Sequence, residues 1–180
     1  MNKYLIIVDM QNDFIDGALA NPRAKAIVEP ILERMKKWDH SIVFTKDTHD
    51  ENYLETQEGK KLPVPHCIKG TPGSNIVADL YDYVCFDLPQ FRDVKIVNKH
   101  SFGYSNWART IREPEYIELC GTVASICVVS NAIILKALFP ECEIAVNINL
   151  IAALLEDESD KKAAIETMRM CQVTILGETN

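Results

Sequence analysis

Long apolar runs and blocks of like charge are both missing from this 180-residue sequence. No stretch approaches the roughly 18 apolar residues that a membrane-spanning helix requires. The short apolar run near the amino terminus is interrupted by Asp9, and no small-residue cleavage site follows, so it does not have the pattern of a secretion signal. A net charge of −7 argues against binding to nucleic acid or to an anionic membrane surface. These absences favour a cytoplasmic protein.

Cysteine pairs with the spacing of a metal site or a redox motif are also missing. A chain of this length, 47% hydrophobic, can bury a core without covalent cross-links, and we expect residues 1–180 to form one domain. Five of the six cysteines are therefore expected to be small buried side chains, and only Cys127 has a functional interpretation. The other five are Cys67, Cys85, Cys120, Cys142 and Cys171.

Runs of apolar, β-branched residues recur along the chain, as is typical of strands buried on both faces of a parallel sheet. They occupy Tyr4–Val8, Ser41–Thr45, Val94–Asn98, Tyr116–Cys120, Glu143–Asn147 and Val173–Leu176. Helical patterns alternate with them, at Pro22–Trp38, Ser105–Arg112, Cys127–Phe139 and Asp157–Met170. This alternation predicts a three-layer α/β fold in which helices cover both faces of a doubly wound, mainly parallel six-stranded sheet.

Residues that follow the strands are the first candidates for a site, because such folds bind ligands beyond the carboxyl ends of their strands. Asp9 follows the first predicted strand, Lys99 follows the third, and Cys127 begins the helix after the fourth. A thiol at a helix amino terminus is expected to be unusually acidic, and a partly dry carboxylate can act as a base. Each residue taken alone also has a structural interpretation. Together they supply a nucleophile, a base and a cation.

A second polar group includes residues of the long segment 48–73. Asp47 and His49 are two positions apart in an extended segment, so their side chains share a face, and Glu58 and His66 come from the loop that follows. Two imidazoles and two carboxylates suit a divalent transition metal that acts as a Lewis acid. The alternative interpretation is a polar loop with two surface histidines.

Five motifs together resemble those of the isochorismatase-like cysteine hydrolases, a superfamily that includes the nicotinamidases and pyrazinamidases. They are LIIVDMQNDF, FTKDTH, PHCIKGTPGS, IVNKHSFGYSNW and CGTVASICVVSNAI, in the order typical of that superfamily. The resemblance extends from Leu5 to about Leu176. It implies a strand order of 3-2-1-4-5-6 and a homo-oligomer that acts on a small-molecule amide substrate and has no organic cofactor.

The resemblance also implies roles for individual residues. Asp9 would be the general base, Lys99 the cation that stabilises the thiolate and the intermediate, and Cys127 the nucleophile. A non-proline cis peptide bond between Thr122 and Val123 would direct the N–H groups of Val123 and Cys127 at the oxyanion. A divalent metal, with zinc as the first choice and iron or manganese as alternatives, would be bound by Asp47, His49, Glu58 and His66.

Two departures from the superfamily pattern affect the expected substrate. The turn before the nucleophile reads Ala124-Ser125, where Thr-Asp is usual, and Pro63 replaces a tryptophan that often precedes the metal motif. The absent indole ring would otherwise contact a pyridine ring. Its absence leaves four aromatic residues as candidate walls of the substrate pocket: Phe14, Phe102, Tyr104 and Trp107.

The resemblance therefore implies a nicotinamidase-like amidohydrolase, which converts nicotinamide and water to nicotinate and ammonia through a thioester, as in pyridine nucleotide salvage. One alternative is an amidase for another small carboxamide, or for an N-carbamoyl or ureido compound, whose relatives lack the metal ligands. A different class is a non-catalytic interaction domain or a nucleotide-binding Rossmann-like module. The absence of Gly-x-Gly-x-x-Gly after the first strand argues against nucleotide binding.

Overall fold

The computed structural model describes residues 2–89 and 92–177, with a six-stranded parallel sheet at its centre. The strands are β1 (Lys3–Val8), β2 (Ser41–Asp47), β3 (Val94–Lys99), β4 (Tyr116–Gly121), β5 (Glu143–Ile151) and β6 (Thr174–Leu176). Their order across the sheet is β3-β2-β1-β4-β5-β6, and each neighbouring pair is parallel. The predicted doubly wound sheet and its strand order are confirmed.

Helices connect the strands. They are α1 (Asn12–Ile15), α2 (Pro22–Ala26), α3 (Val28–Lys36), α4 (Gln57–Lys61), α5 (Ala78–Asp82), α6 (Trp107–Thr110), α7 (Val129–Leu138) and α8 (Ser159–Met170). Short 3₁₀ turns occupy Tyr53–Glu55 and Pro72–Ser74, and π-helical turns occupy Tyr83–Asp87 and Ala124–Val128. Among the described residues, none of these helices has the length and apolar character needed to span a bilayer.

The two faces of the sheet explain the continuous apolar runs. Leu5 and Ile7 of β1 pack into the core on one side, and Ile6 and Val8 pack into the core on the other. Helices cover both sides, so neither face of the central strand meets water. Burial of both faces requires apolar residues at successive positions instead of alternation.

The predicted helix Pro22–Trp38 is two helices, α2 and α3, and the chain breaks between them at Ile27. Pro30 lies in the first turn of α3, where its missing N–H cannot bond to the carbonyl four residues earlier. The helical spacing of the apolar residues continues across the break, which is why the sequence pattern does not reveal it.

The long segment 48–73 is tied to the edge of the sheet at both of its ends. An isolated parallel bridge pairs His49 with Ile68, and the Lys69 N–H donates to the His49 carbonyl at 2.8 Å. The 3₁₀ turn and α4 lie between these points. The return of the segment places its second half beside the carboxyl end of β2.

The end of β4 lies very close to β1. Gly121 has φ +117°, and a side chain there would collide with the backbone oxygen of Val8. The next residue, Thr122, donates its N–H to the same oxygen at 3.0 Å. Glycine is therefore required for the turn after β4 to begin directly beside the end of β1.

Candidate active site

The carboxyl ends of the strands bring three reactive side chains together. Asp9 directly follows β1, Lys99 is the last residue of β3, and Cys127 lies in the π-helical turn after β4. Lys99 Nζ lies 2.7 Å from Asp9 Oδ2 and 3.7 Å from Cys127 Sγ. Asp9 is 0% exposed, Lys99 2% and Cys127 8%. We call these three residues the cysteine cluster.

Asp9 is held in place by its backbone and by Thr45. Its φ of 52° lies in the left-handed region, which is uncommon for residues other than glycine and is often found at functional sites. The Thr45 hydroxyl donates to Asp9 Oδ1 at 2.6 Å. Burial raises the pKa of the Asp9 carboxyl, and the positive charge of Lys99 opposes that effect. Beside its ion pair with Lys99, Asp9 Oδ2 makes no further hydrogen bond within the described chain.

The expected acidity of the Cys127 thiol is wrong for the free protein. Cys127 is the fourth residue of the turn Ala124–Val128, which continues into α7, so it does not lie at a free helix amino terminus. Burial raises the pKa of the thiol well above its usual value and the Asp9 carboxylate raises it further, while Lys99 lowers it. The resting sulfur is therefore a neutral thiol that needs a base to remove its proton.

Lys99 keeps its positive charge in this buried setting. Burial alone would lower the pKa of the Lys99 ammonium, but the Asp9 carboxylate, the Cys127 sulfur and Asp47 together raise it above its usual value. A charged lysine beside the sulfur stabilises a thiolate when one forms. The cysteine cluster thus contains a thiol, a carboxylate with a raised pKa and a permanent cation.

Four side chains next to the cysteine cluster could together hold a metal ion, and we call them the metal-ligand group. Each offers one ligand atom, all of these atoms lie within 4.8 Å of one another, and the residues are Asp47, His49, Glu58 and His66. Two imidazole nitrogens and two carboxylate oxygens are the donor set of many divalent transition-metal sites. The donor set and its spacing therefore fit a divalent metal ion.

The ring of His66 is oriented by a backbone contact. His66 Nδ1 lies 2.8 Å from the Val64 carbonyl oxygen, and because a carbonyl only accepts, Nδ1 carries the hydrogen. Nε2 then faces Asp47 Oδ2 at 3.4 Å, and His49 Nε2 faces the same oxygen at 3.1 Å. A hydrogen bond of this kind on the outer nitrogen is typical of metal-binding histidines.

Tyr53 supports both histidines, a role that the sequence did not reveal. Its ring centroid lies 4.7 Å from that of His49 and 5.0 Å from that of His66, and its hydroxyl donates to the Leu62 carbonyl at 2.9 Å. Burial, with Glu58 and Asp47 nearby, raises the pKa of Tyr53 to about 12. An aromatic residue four positions after His49 is the only signal that the sequence contains for this role.

Asp47 joins the metal-ligand group to the cysteine cluster. Its Oδ2 faces the two histidines, and its Oδ1 lies 3.3 Å from Lys99 Nζ. The buried side chain of Gln11 fixes the backbone of Asp47, because its Nε2 donates to the Asp47 carbonyl at 2.9 Å and its Oε1 accepts from the Asp47 N–H at 2.7 Å. Gln11 is a second residue that sequence reasoning missed.

A mostly apolar cavity of about 570 Å³ opens onto both groups of residues. This volume lies within the range of small-molecule sites in proteins. Phe14 and Phe102, two of the four predicted aromatic walls, line it. Other lining residues include Leu19, Asp47, His66, Thr122, Cys127 and Leu154.

Tyr104 and Trp107 do not line this cavity, which corrects their expected role as pocket walls. Trp107 is fully buried in the core, and its indole N–H donates to Asn131 Oδ1 at 3.1 Å. The ring of Tyr104 packs edge-on against that of Trp107, with centroids 5.0 Å apart. Both rings therefore belong to the packed core on this side of the sheet.

The turn before Cys127 has two notable features. The peptide bond between Thr122 and Val123 is cis, at the position that the resemblance indicates. Ser125, which belongs to the Ala124-Ser125 departure from the superfamily pattern, donates its hydroxyl to Asp160 Oδ2 at 2.7 Å. Asp160 also accepts the backbone N–H of Leu154, at 2.9 Å. One carboxylate thus joins the turn that contains Cys127 to a wall of the cavity.

Together, the fold and the site define a doubly wound α/β protein with a buried cysteine cluster and an adjacent metal-ligand group. The sequence model of the isochorismatase domain matches residues 3–179. The chain therefore belongs to the isochorismatase domain family.

Comparisons with individual proteins agree with this assignment. The chain is 34% identical over 127 residues to a nicotinamidase of Saccharomyces cerevisiae, and the match covers 54% of this chain and 56% of that one. The chain thus spans little more than half the length of this relative. A pyrazinamidase/nicotinamidase structure from Streptococcus mutans superposes with a TM-score of 0.80 at 28% identity, covering 97% of this chain and 100% of that chain. A pyrazinamidase of Pyrococcus horikoshii in complex with zinc superposes with a TM-score of 0.76 at 25% identity, covering 99% and 100%.

Proposed function

We propose that this protein hydrolyses the amide bond of a small aromatic carboxamide, with nicotinamide as the first candidate substrate. The observation that carries the proposal is the cysteine cluster, in which Lys99 Nζ lies 2.7 Å from the Asp9 carboxylate and 3.7 Å from the Cys127 sulfur beside an apolar cavity. A nucleophile next to a base and a cation is the arrangement required for acyl transfer. The nicotinamidase and pyrazinamidase relatives support the choice of substrate.

In the proposed mechanism Asp9 accepts the proton of the Cys127 thiol as the sulfur attacks the carbonyl carbon of the substrate. The N–H groups of Val123 and Cys127 stabilise the oxyanion of the tetrahedral intermediate. Asp9 then donates its proton to the amide nitrogen, the C–N bond breaks and ammonia leaves. Water attacks the resulting thioester and gives a proton to Asp9, which returns it to the sulfur as the C–S bond breaks and the carboxylic acid is released.

The positions of the charges support this cycle. The raised pKa of Asp9 makes its carboxylate a stronger base than an ordinary aspartate, and the raised pKa of Cys127 makes such a base necessary. Lys99 remains positive throughout and stabilises the sulfur and Asp9 whenever either is negatively charged.

A divalent metal would be held by Asp47, His49, Glu58 and His66, and we propose zinc, with iron or manganese as alternatives. When bound, the metal would supply a Lewis acid that coordinates the ring nitrogen of a pyridine substrate and positions the ring. The zinc complex of the Pyrococcus horikoshii pyrazinamidase supports this choice. Asp47 Oδ1 lies 3.3 Å from Lys99 Nζ, so Asp47 would link a bound metal to the cysteine cluster.

A panel of small amides tests the proposed activity. We expect purified protein to release ammonia from nicotinamide, and from pyrazinamide, at rates well above those for ureido and N-carbamoyl compounds. Ammonia is measured by a coupled assay, and the acid product by chromatography. Preference for an N-carbamoyl compound would identify the alternative amidase class. No turnover of any member of the panel would instead identify a non-catalytic domain.

Removal of the metal ligands is expected to separate metal binding from nucleophilic chemistry. In the double variant His49→Ala/His66→Ala, two of four ligands are lost, so we expect less than a tenth of the metal content of the unaltered protein and a KM raised by about 10- to 100-fold. The variant His40→Ala is the matched control, because His40 lies far from the site, against Asp39. Metal content is measured by mass spectrometry. Unchanged metal content in the double variant would contradict the assignment of these ligands.

We also propose that the protein acts in a reducing compartment such as the cytoplasm. All six cysteines are unpaired. Cys85 and Cys171 are exposed, so the expectation that they would be buried is wrong for these two. Unpaired exposed thiols persist where the surroundings keep them reduced.

A further inference from the structure

The hydroxyl group of Thr122 is buried without a hydrogen-bond partner among the described residues. Thr122 is 1% exposed, and it lines the cavity that also contains Cys127. Three buried side-chain polar atoms in the described chain share this condition: Asp9 Oδ2, Arg92 Nε and Thr122 Oγ1. Two of these atoms, those of Asp9 and Thr122, lie at the proposed active site. Asp9 Oδ2 forms an ion pair with Lys99, whereas the Thr122 hydroxyl has no such partner among the described residues.

An unpaired buried hydroxyl destabilises a folded protein, because the group loses its hydrogen bonds to water and gains none in return. Valine has nearly the same shape as threonine and would fill this position without that penalty. Contacts within the free protein therefore do not explain why a hydroxyl is present here. A ligand bound in the cavity could supply the missing hydrogen-bond partner.

The position of Thr122 is fixed relative to the reacting groups. Its N–H donates to the Val8 carbonyl at 3.0 Å, and Val8 immediately precedes Asp9. Cys127 lies five positions after Thr122 along the chain. A hydrogen bond from the Val128 N–H to the Val123 carbonyl, at 3.1 Å, stabilises the turn between them. Thr122 is thus rigidly connected both to the base and to the nucleophile.

We infer that Thr122 binds the carboxamide group of the substrate through its hydroxyl and so contributes to substrate specificity. This inference rests on the proposed function. A hydroxyl both donates and accepts, so it can donate to the carbonyl oxygen or accept from the NH₂ group. The carboxamide is the part of the substrate that must lie between Asp9 and Cys127, and Thr122 is attached to both of their segments.

The variant Thr122→Val tests this inference because it removes the hydroxyl and keeps the shape. Loss of one hydrogen bond to the substrate is expected to lower kcat/KM for the best amide by about tenfold. Loss of an unpaired buried hydroxyl is expected to raise Tm by about 2–4 °C. A residue with a purely structural role would give the opposite change in Tm. The variant Thr122→Ser, which keeps the hydroxyl, is expected to retain most of the activity of the unaltered protein.

Binding provides a second measurement that does not depend on turnover. In the background of Cys127→Ala, calorimetry with nicotinamide is expected to show weaker binding by about tenfold when Thr122→Val is added. The matched control is Thr167→Val on the exposed face of α8, where the hydroxyl bonds only to Ala163 within the helix. Thr122→Val with unchanged kcat/KM and unchanged binding would overturn the inference. Absence of turnover and of binding in the unaltered protein would overturn the proposed function instead.

Discussion

Replacing Cys127 with alanine is expected to lower kcat/KM for the best amide by about 10⁴-fold or more. The change removes the atom that forms the thioester, and Asp9 and Lys99 can then assist only a direct attack by water, which is a much weaker nucleophile than a thiolate. The metal ligands belong to other segments, so the metal content is expected to stay unchanged. The Cys127 side chain is small, and its loss is expected to alter the free energy of unfolding by only about 1 kcal/mol.

Cys120→Ala is the matched control for this variant. Cys120 is also a buried thiol with a raised pKa, but it lies within β4, where its sulfur contacts the Ile6 carbonyl and not the cavity. We expect this control to retain kcat/KM within about twofold. Ammonia release and intact-protein mass spectrometry, which detects the acyl adduct, measure both variants. Full activity in Cys127→Ala, or an adduct on another cysteine, would refute the assignment of the nucleophile.

The variant Lys99→Met is expected to lower kcat/KM by about 10³-fold and to destabilise the fold by about 3–5 kcal/mol at pH 7. In the unaltered protein Lys99 Nζ lies 2.7 Å from Asp9 Oδ2, so the change leaves the fully buried Asp9 carboxylate without its cation. Burial then raises the pKa of Asp9 further, so the carboxyl is protonated and cannot accept the thiol proton. The expected decrease in Tm is roughly 10 °C.

The stability of Lys99→Met is expected to depend on pH in a defined direction. A carboxyl whose pKa is higher in the folded than in the unfolded protein binds more protons when folded, between those two pKa values. Its stabilising contribution is complete below the unfolded pKa of about 3.9 and is lost as pH rises through the folded pKa. The variant is therefore expected to lose more stability than the unaltered protein as pH rises from about 3.9 toward neutrality.

Lys95→Met is the control for this second prediction. Lys95 lies on the same strand as Lys99, but its ammonium is partly exposed, where it donates to the Thr110 carbonyl and lies 3.3 Å from Asp93. We expect this control to retain its activity and to change the free energy of unfolding by about 1 kcal/mol or less. Thermal unfolding followed by circular dichroism at several pH values measures both variants. Equal stability losses in both would show that the buried charges are not coupled as described.

The strands and the residues at their ends were predictable from the sequence for one physical reason. Strands buried on both faces are continuously apolar, so a polar residue such as Asp9 marks the strand end, and parallel strand ends meet at one edge. Asp47 and Lys99, expected to follow their strands, are the last residues of β2 and β3, which leaves them at that edge. The order of the strands across the sheet came from the resemblance and not from residue patterns.

Other features depend on contacts that no local pattern contains. The acidity of Cys127 is set by burial and by Asp9, which is distant in sequence, so its position near a helix predicted the wrong direction. Aromatic rings such as those of Tyr104 and Trp107 can pack in a core or line a cavity. Here Asn131 on α7 accepts hydrogen bonds from the Tyr104 backbone N–H and the Trp107 indole N–H, and these contacts hold both residues in the core. Gln11 was missed because its function lies in backbone contacts with Asp47, 36 positions away.

The two oxygens of Asp47 face different neighbours, one toward the imidazoles and one toward the lysine. Redesign of the metal preference through this residue would therefore also disturb the ammonium beside the sulfur, even if the new side chain bound the chosen ion well. An engineer who wants a different ion would do better to vary Glu58, which is partly exposed and contacts no member of the cysteine cluster. Any side chain at position 47 must therefore meet two chemical requirements at once, one from the imidazoles and one from the ammonium.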